Sequence, residues 1–451
     1  VITATLAGTN PVVKAGAGTT TLVNAQTYTG PTTVSAGRLS LPSSVATSSI
    51  TVADGATISG EPSVAAATLG SVTGSTLIVD PNSAGAFTAT ALTLNGNTLV
   101  DFTAAPDLGV TSITLLNYTT KTGSGTISLA NARPGSVITD TGSSYVLTFT
   151  RADLVWSGAT AAWDVGTTAN WNTNADKFYA FDNASFDDTG VTTAVTLTGT
   201  INPSILVVNT NTNAYTLTGV ISGATTVDKS GSTNLTLAGA NTFFGPVSIS
   251  GGSITIPTTN GLGDASSTNK LTMDGGKLIS TATMNLGVNR SITVGGNGAT
   301  FSSGGTAAAY TVTVPGIITG SGNLNFTSGN TTAPTFALTG SLAGFTGNMN
   351  VDSLGATTGA STLNLGAATN YAAGTITLTQ GLVNGGATGL VLNGQALPAA
   401  VNVVMNSATS GTNSYRSQIV SGVASSTING PVSLKDRKST RLNSSHANVS
   451  R

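Results

Sequence analysis

Val12 to Leu41 reads VVKAGAGTTTLVNAQTYTGPTTVSAGRLSL, and Val227 to Ile256 reads VDKSGSTNLTLAGANTFFGPVSISGGSITI. The two stretches align without a gap: Lys14 falls on Lys229, Gly16 on Gly231, Leu22 on Leu237, Tyr28 on Phe243, Gly30 on Gly245, Pro31 on Pro246 and Gly37 on Gly252. One such unit cannot bury its own apolar face, so it belongs to an architecture in which copies stack. A third, degraded copy starts at Leu338, where LTGSLAGFTGNMNV places Phe345, Gly347 and Val351 as Tyr28, Gly30 and Val34 are placed, after a one-residue insertion.

Working outward, short alternating triplets recur along the chain: Leu92-Thr-Leu94, Val195-Thr-Leu197, Leu235-Thr-Leu237, Ile292-Thr-Val294, Val312-Thr-Val314, Leu324-Asn-Phe326, Leu363-Asn-Leu365 and Ile376-Thr-Leu378. Alternation over so few residues, bounded by Gly and Asn, predicts short strands with one buried face. Asn95-Gly96, Asn260-Gly261, Asn297-Gly298 and Asn393-Gly394 read as tight turns in which positive φ is supplied locally. No segment has helical spacing with caps. A sandwich or barrel would close after fewer strands, whereas this pattern runs on without a break in composition. The sequence therefore predicts an all-β chain, a right-handed parallel β-helix (β-solenoid) with little or no α-helix, for which coils of about 22 residues are assumed. Thr, Val and Ile suit its ladders, and Asn suits amide ladders at its turns.

Composition supports this and excludes much else. Charged residues are 7% of the chain and apolar residues are interleaved with Thr, Ser and Asn, so no apolar run reaches the roughly 18 residues of a spanning helix. Regularly spaced Val, Leu and Ile argue against disorder. With no cysteine there is neither a disulfide framework nor a thiolate metal site. Val1 is no initiator methionine and VITATLAGTN has no basic region followed by an apolar one, so the chain is expected to be a piece of a longer protein.

The last stretch, KDRKSTRLNSSHANVSR, holds five of the 16 basic residues and the single histidine, His446. A basic patch for an anionic partner is one reading. The portion KDRKSTRLNSSH also resembles translated adapter sequence of the kind that contaminates assembled environmental reads, and residues 435–451 are set aside as non-native on that ground. Without them the chain carries 11 basic and 16 acidic residues, a net charge near −5. That balance argues against nucleic-acid binding.

The repeated stretches resemble the autotransporter-associated β-strand repeat, also called the passenger-associated transport repeat. KAGAGTTTLVNAQTYTGPTTVSAGRL keeps nearly all of that pattern, while KSGSTNLTLAGANTFFGPVSISGGSI departs from it at a glycine and at the Thr of YTG. The resemblance implies a secreted or surface-exposed bacterial β-helical passenger, and an outer-membrane translocator barrel in a missing C-terminal part. Between the copies lie Trp156-Ser-Gly158, Trp163-Asp164, Asn170-Trp171 and Phe186-Asp-Asp-Thr-Gly190. This series resembles the opening of a new unit in large bacterial surface proteins. The expected division is 1–152, a unit truncated at its start, and 153–434, a second unit opening with the Trp- and Asp-rich junction 153–190.

Two readings of that junction carry chemistry. Trp156, Trp163 and Trp171 offer aromatic faces for sugar rings, or else form a small satellite core where the regular coils are interrupted. Asp182, Asp187 and Asp188, with Asp176 and Asn183 nearby, are oxygen ligands of the kind calcium takes, or else solvated turn formers. Gly16-Ala-Gly18 is no nucleotide loop, since no helix follows it. Lys14 and Lys229 read as solvated turn residues of the motif. A sole glutamate, Glu61, scattered aspartates and no histidine before the tail leave no acid–base or nucleophile constellation, so no catalysis and no cofactor are expected. The function read from the sequence is a stalk or adhesive passenger segment, engaging extracellular polysaccharide or a host or neighbouring cell surface, with self-association as a further partner mode. The second reading is a carbohydrate-binding or carbohydrate-active β-helix that uses the aromatic junction at 156–186.

Overall fold

The computed structural model describes residues 1–42, 44–103, 106, 110–304, 310–328, 334–352, 361–366, 370–379, 388–406, 417–422 and 425–435. The expected non-native tail lies outside them apart from Lys435. Among the described residues the chain is a parallel β-solenoid whose only helix is one 3-10 turn, Thr259–Leu262. All eight alternating triplets fall within strands. Asn260-Gly261 is the exception among the expected turns, because it lies in that 3-10 turn rather than supplying a positive φ.

Contacts divide the chain into two units: Val1–Asp153 with Phe178–Asp182, and Leu154–Lys177 with Asn183 onward. The short stretch Phe178–Asp182, expected in the second unit, packs with the first. The first unit winds between an eight-stranded and a six-stranded sheet. The second carries a nine-stranded sheet, a twelve-stranded sheet and, from Met284–Asn285 on, a six-stranded one, with a further two-stranded pairing of Ala396–Leu397 and Thr427–Ile428.

Stacking is in register, so partner side chains on successive strands build straight columns, and residues two apart along a strand belong to neighbouring columns of one face. Lys14, Val34, Val52, Leu69 and Leu94 form one inward column of the first unit. Phe186, Val208, Lys229, Ile249, Met273 and Val294 form its counterpart in the second. The apolar members are buried, each contributing on the order of 1.5–3 kcal/mol. Coil length varies to either side of the expected value. The coil that carries Ile50 onto its partner Ala67 is short, and the one that carries Met405 onto Leu434 is far longer. A coil lengthens without cost to the core when the added residues fall between strands, since strand register alone fixes the inward columns.

The first unit ends differently. Strand Ser144–Thr148 runs antiparallel beside Ser112–Thr122, and Val137–Asp140 pairs antiparallel on its other side, which closes the sheet with a hairpin in place of a further parallel coil. Such a hairpin covers an edge that would otherwise present unpaired backbone groups.

Candidate functional site

The repeat's own residues explain one another at the turn after the first strand of a coil. Lys14 and Lys229 stand two residues beyond Val12 and Val227, so alternation turns them inward, and each is buried, at 7% and 1% exposure. The expectation of solvated lysines is therefore corrected. The Lys14 ammonium bends out of the core column to donate to the carbonyls of Ala15 at 3.1 Å, Gly16 at 2.6 Å and Ala36 at 2.9 Å. Lys229 donates to the carbonyls of Ser230 and, at 3.3 Å, Gly231. Burial pushes the Lys229 pKa down to about 8.

The glycines make room for this arrangement. Gly16 and Gly231 take positive φ of 79° and 69° at the turn. On the following coil a Cβ at Gly252 would lie 2.2 Å from the Thr233 carbonyl oxygen and 2.9 Å from Lys229 Nζ. Gly37 likewise leaves no space over Gly16 and Gly18. Gly30 and Gly245 pass so close to the preceding coil that a Cβ would meet the carbonyls of Asn10 and Thr225 at 2.1 and 2.2 Å. In the degraded copy Gly347 stands in the same relation to the Gly322 carbonyl, at 2.0 Å. Tyr28, Phe243 and Phe345 all fill the core next to these glycines. Gln26 and Asn241, aligned in the repeat, are both buried and bridge coils: Gln26 Oε1 accepts from Leu6 N at 2.8 Å, and Asn241 accepts from Ile221 N and donates to the Gly261 carbonyl, each at 2.8 Å.

The aromatic junction opens the second unit. Trp156 follows Asp153–Val155 and Trp163 lies in Ala162–Trp163, the first strands of the nine- and twelve-stranded sheets, so these rings sit at the terminal rung. Trp171 meets Trp156 edge to face at 5.0 Å and Trp163 at 5.1 Å. Phe186 of the second rung stacks on Trp156 at 5.4 Å, and Tyr215 of the third meets Phe186 at 5.0 Å. Trp156 Nε1 donates to the Thr192 carbonyl at 2.8 Å, and buried Asn170 ties the loop together through Thr160 and Ala162. All three indoles are at most 1% exposed. Their faces are spent on one another, which fits the satellite-core reading of the junction and not the sugar-stacking one, and the rings form an aromatic plug at the terminal rung of the unit's core.

The three aspartates do not converge. Asp182 is fully buried in the first unit and accepts from Arg133 Nε at 2.8 Å, Arg133 Nη2 at 2.9 Å, Ala152 N at 2.9 Å and Tyr179 N at 2.7 Å. Burial pushes its pKa up against those donors. Beside it Phe181 adopts φ 68°, which sets its ring against Phe102 at 5.2 Å. Asp187 accepts from Thr189 in its own turn. Asp188 accepts from the backbone N–H groups of Asn213, Asn211 and Thr212 on the next coil, which hold its pKa well below the usual carboxylate range. Asp54 does the same in the first unit, where the Ser71 hydroxyl and the N–H groups of Ser71, Gly74 and Val72 depress its pKa. Each of these carboxylates accepts from its own set of N–H and hydroxyl donors, and the three aspartates Asp182, Asp187 and Asp188 do not share one. Among the described residues no three His, Cys, Asp or Glu side chains group so as to hold a metal ion.

Sequence reading missed Arg133, Asp54 and Arg290. Arg290, 1% exposed, donates to the Asn269 and Leu262 carbonyls, each at 3.1 Å, and burial lowers its pKa to about 10. The lysines had a usable signal, since period-two counting from Val12 and Val227 already turns them inward.

In-register coils, inward columns and a plugged end define a parallel β-solenoid repeat protein. Two stretches of it, residues 12–41 and 227–256, match the family model described as "Passenger-associated-transport-repeat". Comparison with curated proteins and with solved structures found no match.

Proposed function

We propose that this chain is a stalk or adhesive passenger segment of a large secreted or bacterial cell-surface repeat protein, and that it acts without catalysis. The observation that carries the reading is that both matched repeats use the same parts, a buried lysine over its turn carbonyls and glycines at coil crossings, to build successive coils of a solenoid. Stacked coils satisfy their backbone through their neighbours and lengthen by addition, which suits a display element. Contacts of such a protein are weak singly and gain strength in tandem. Partners are extracellular polysaccharide, another cell's surface or further copies of the protein, and the translocator is an outer-membrane barrel.

The test places the chain between a secretion signal and an outer-membrane barrel in a Gram-negative host. The reading expects protease-sensitive chain on intact cells and increased retention of those cells on polysaccharide or cell layers, with no release of reducing sugar. A chain that remains inside the envelope, or that releases sugar, would overturn it.

A further inference from the structure

The twelve-stranded sheet turns two columns of half-buried polar side chains outward. Lys277, Thr300, Asn325 and Asn350 stack in one. Thr327, Asp352 and Thr379 stack in the next, two residues along each strand. Together they line an open trough of about 410 Å³.

Its chemistry is specific. Asn350 Nδ2 donates to Asn325 Oδ1 at 2.8 Å, and Asn325 Nδ2 donates to the Ala299 carbonyl at 3.3 Å, so the amides are held in one orientation. Thr327 is likewise fixed, on Ser302 at 3.0 Å. That ordering leaves Asn350 Oδ1 as an acceptor, with the hydroxyls of Thr300 and Thr379 able both to donate and to accept. Lys277 and Asp352 stand three rungs apart, about 14 Å at the usual strand spacing, so the floor has no net charge. Among the described residues no aromatic side chain lines it.

We infer that this trough binds a neutral, extended polysaccharide laid along the stacking direction of the coils. Fixed amides and hydroxyls match the mixed donor and acceptor demand of sugar hydroxyls. The strand spacing of about 4.8 Å is close to the length of one pyranose residue in an extended chain, so each rung sets at least one polar side chain beside a successive sugar. Affinity per sugar is low without a stacking platform and accumulates along the polymer. The inference goes beyond the display reading and relocates glycan contact from the buried tryptophans to an open face.

The experiment is affinity electrophoresis of the purified full chain in gels containing a soluble β-1,4-linked glucan, with polygalacturonate as the charged comparator. Expected are retardation by the glucan, at least tenfold weaker retardation for Thr300→Val/Asn350→Leu, and unchanged retardation for Thr272→Val/Thr293→Val, which alters exposed residues of the nine-stranded sheet. Circular dichroism checks folding, and Asn350→Asp is read in place of the double variant if that one unfolds. No retardation of the wild type, or equal retardation of both double variants, overturns the proposal. Retardation by polygalacturonate alone, abolished by Lys277→Met, also overturns it, because the trough would then be an anion site. A chain that binds glucan but is never displayed on cells sinks the display reading and leaves this one standing.

Discussion

Lys14 and Lys229, at matching places in the two repeats, share two bonds: each ammonium leaves an inward core column and donates to the carbonyls of the next two residues. Together with the glycine that clears space on the next coil, this makes the repeat a physical device for turning the chain between two sheets.

The device has a pH signature. The Lys229 pKa falls from an ordinary 10.5 to about 8, so between those values the unfolded chain holds a proton that the folded chain has lost. Stability therefore rises with pH across that window, by about 1–2 kcal/mol between pH 8 and pH 10 once solvent screening at the turn is counted. Above pH 10 the trend reverses, because burial raises Tyr118 and Tyr371 to about 12 and favours their neutral forms in the folded chain. Urea midpoints across this range check it. Lys229→Ala loses the rise, and at pH 7 it also loses about 2 kcal/mol through unpaired carbonyls and lost packing.

The two repeats differ by a paired exchange that double-mutant analysis can read. Tyr28 and Thr32 share a buried hydroxyl contact of 2.8 Å, while the second copy has Phe243 and Val247 at the same places. Thr32→Val strands the Tyr28 hydroxyl and costs about 1–3 kcal/mol. Adding Tyr28→Phe recovers part of that cost, which gives a coupling energy that thermal or urea unfolding measures.

Much of the fold was legible in the sequence because alternation and repeat spacing are local. All eight triplets are strands, and the stacked architecture follows from the copies. Coil length was less legible, since loops of different length serve the same register, as Ile50 with Ala67 and Met405 with Leu434 demonstrate. The site was least legible. Asp182 looked like a loop carboxylate because its partner Arg133 is distant in the chain and no motif links the two. For Trp156, Trp163 and Trp171 the sequence left a sugar-binding face and a satellite core side by side, because burial depends on which rung they occupy. The trough joins residues of successive coils that no motif connects.

Trp171 touches both other indoles and so holds the plug together. Trp171→Ala is expected to cost about 3–5 kcal/mol and to open the first coils of the second unit. Hydrogen exchange should quicken over residues 154–177 and 183–197 and remain unchanged in the first unit, and glucan retardation should be unaffected.

Asp182→Ala leaves Arg133 and two backbone N–H groups without their acceptor. Breaking a buried pair of this kind costs about 3–5 kcal/mol. The expected result is a lowered melting temperature together with new proteolytic cleavage within 178–182.

The most direct test of the stacked-coil account uses the absence of native cysteine. Thr236 and Thr255 face outward as in-register neighbours on adjacent coils, at the usual strand spacing of about 4.8 Å, which a disulfide spans. Thr236→Cys/Thr255→Cys should oxidise to an intramolecular cross-link in the folded chain, whereas Thr236→Cys/Lys277→Cys, one coil further and out of register, should not. Cross-linking of the second pair in preference to the first would contradict the account.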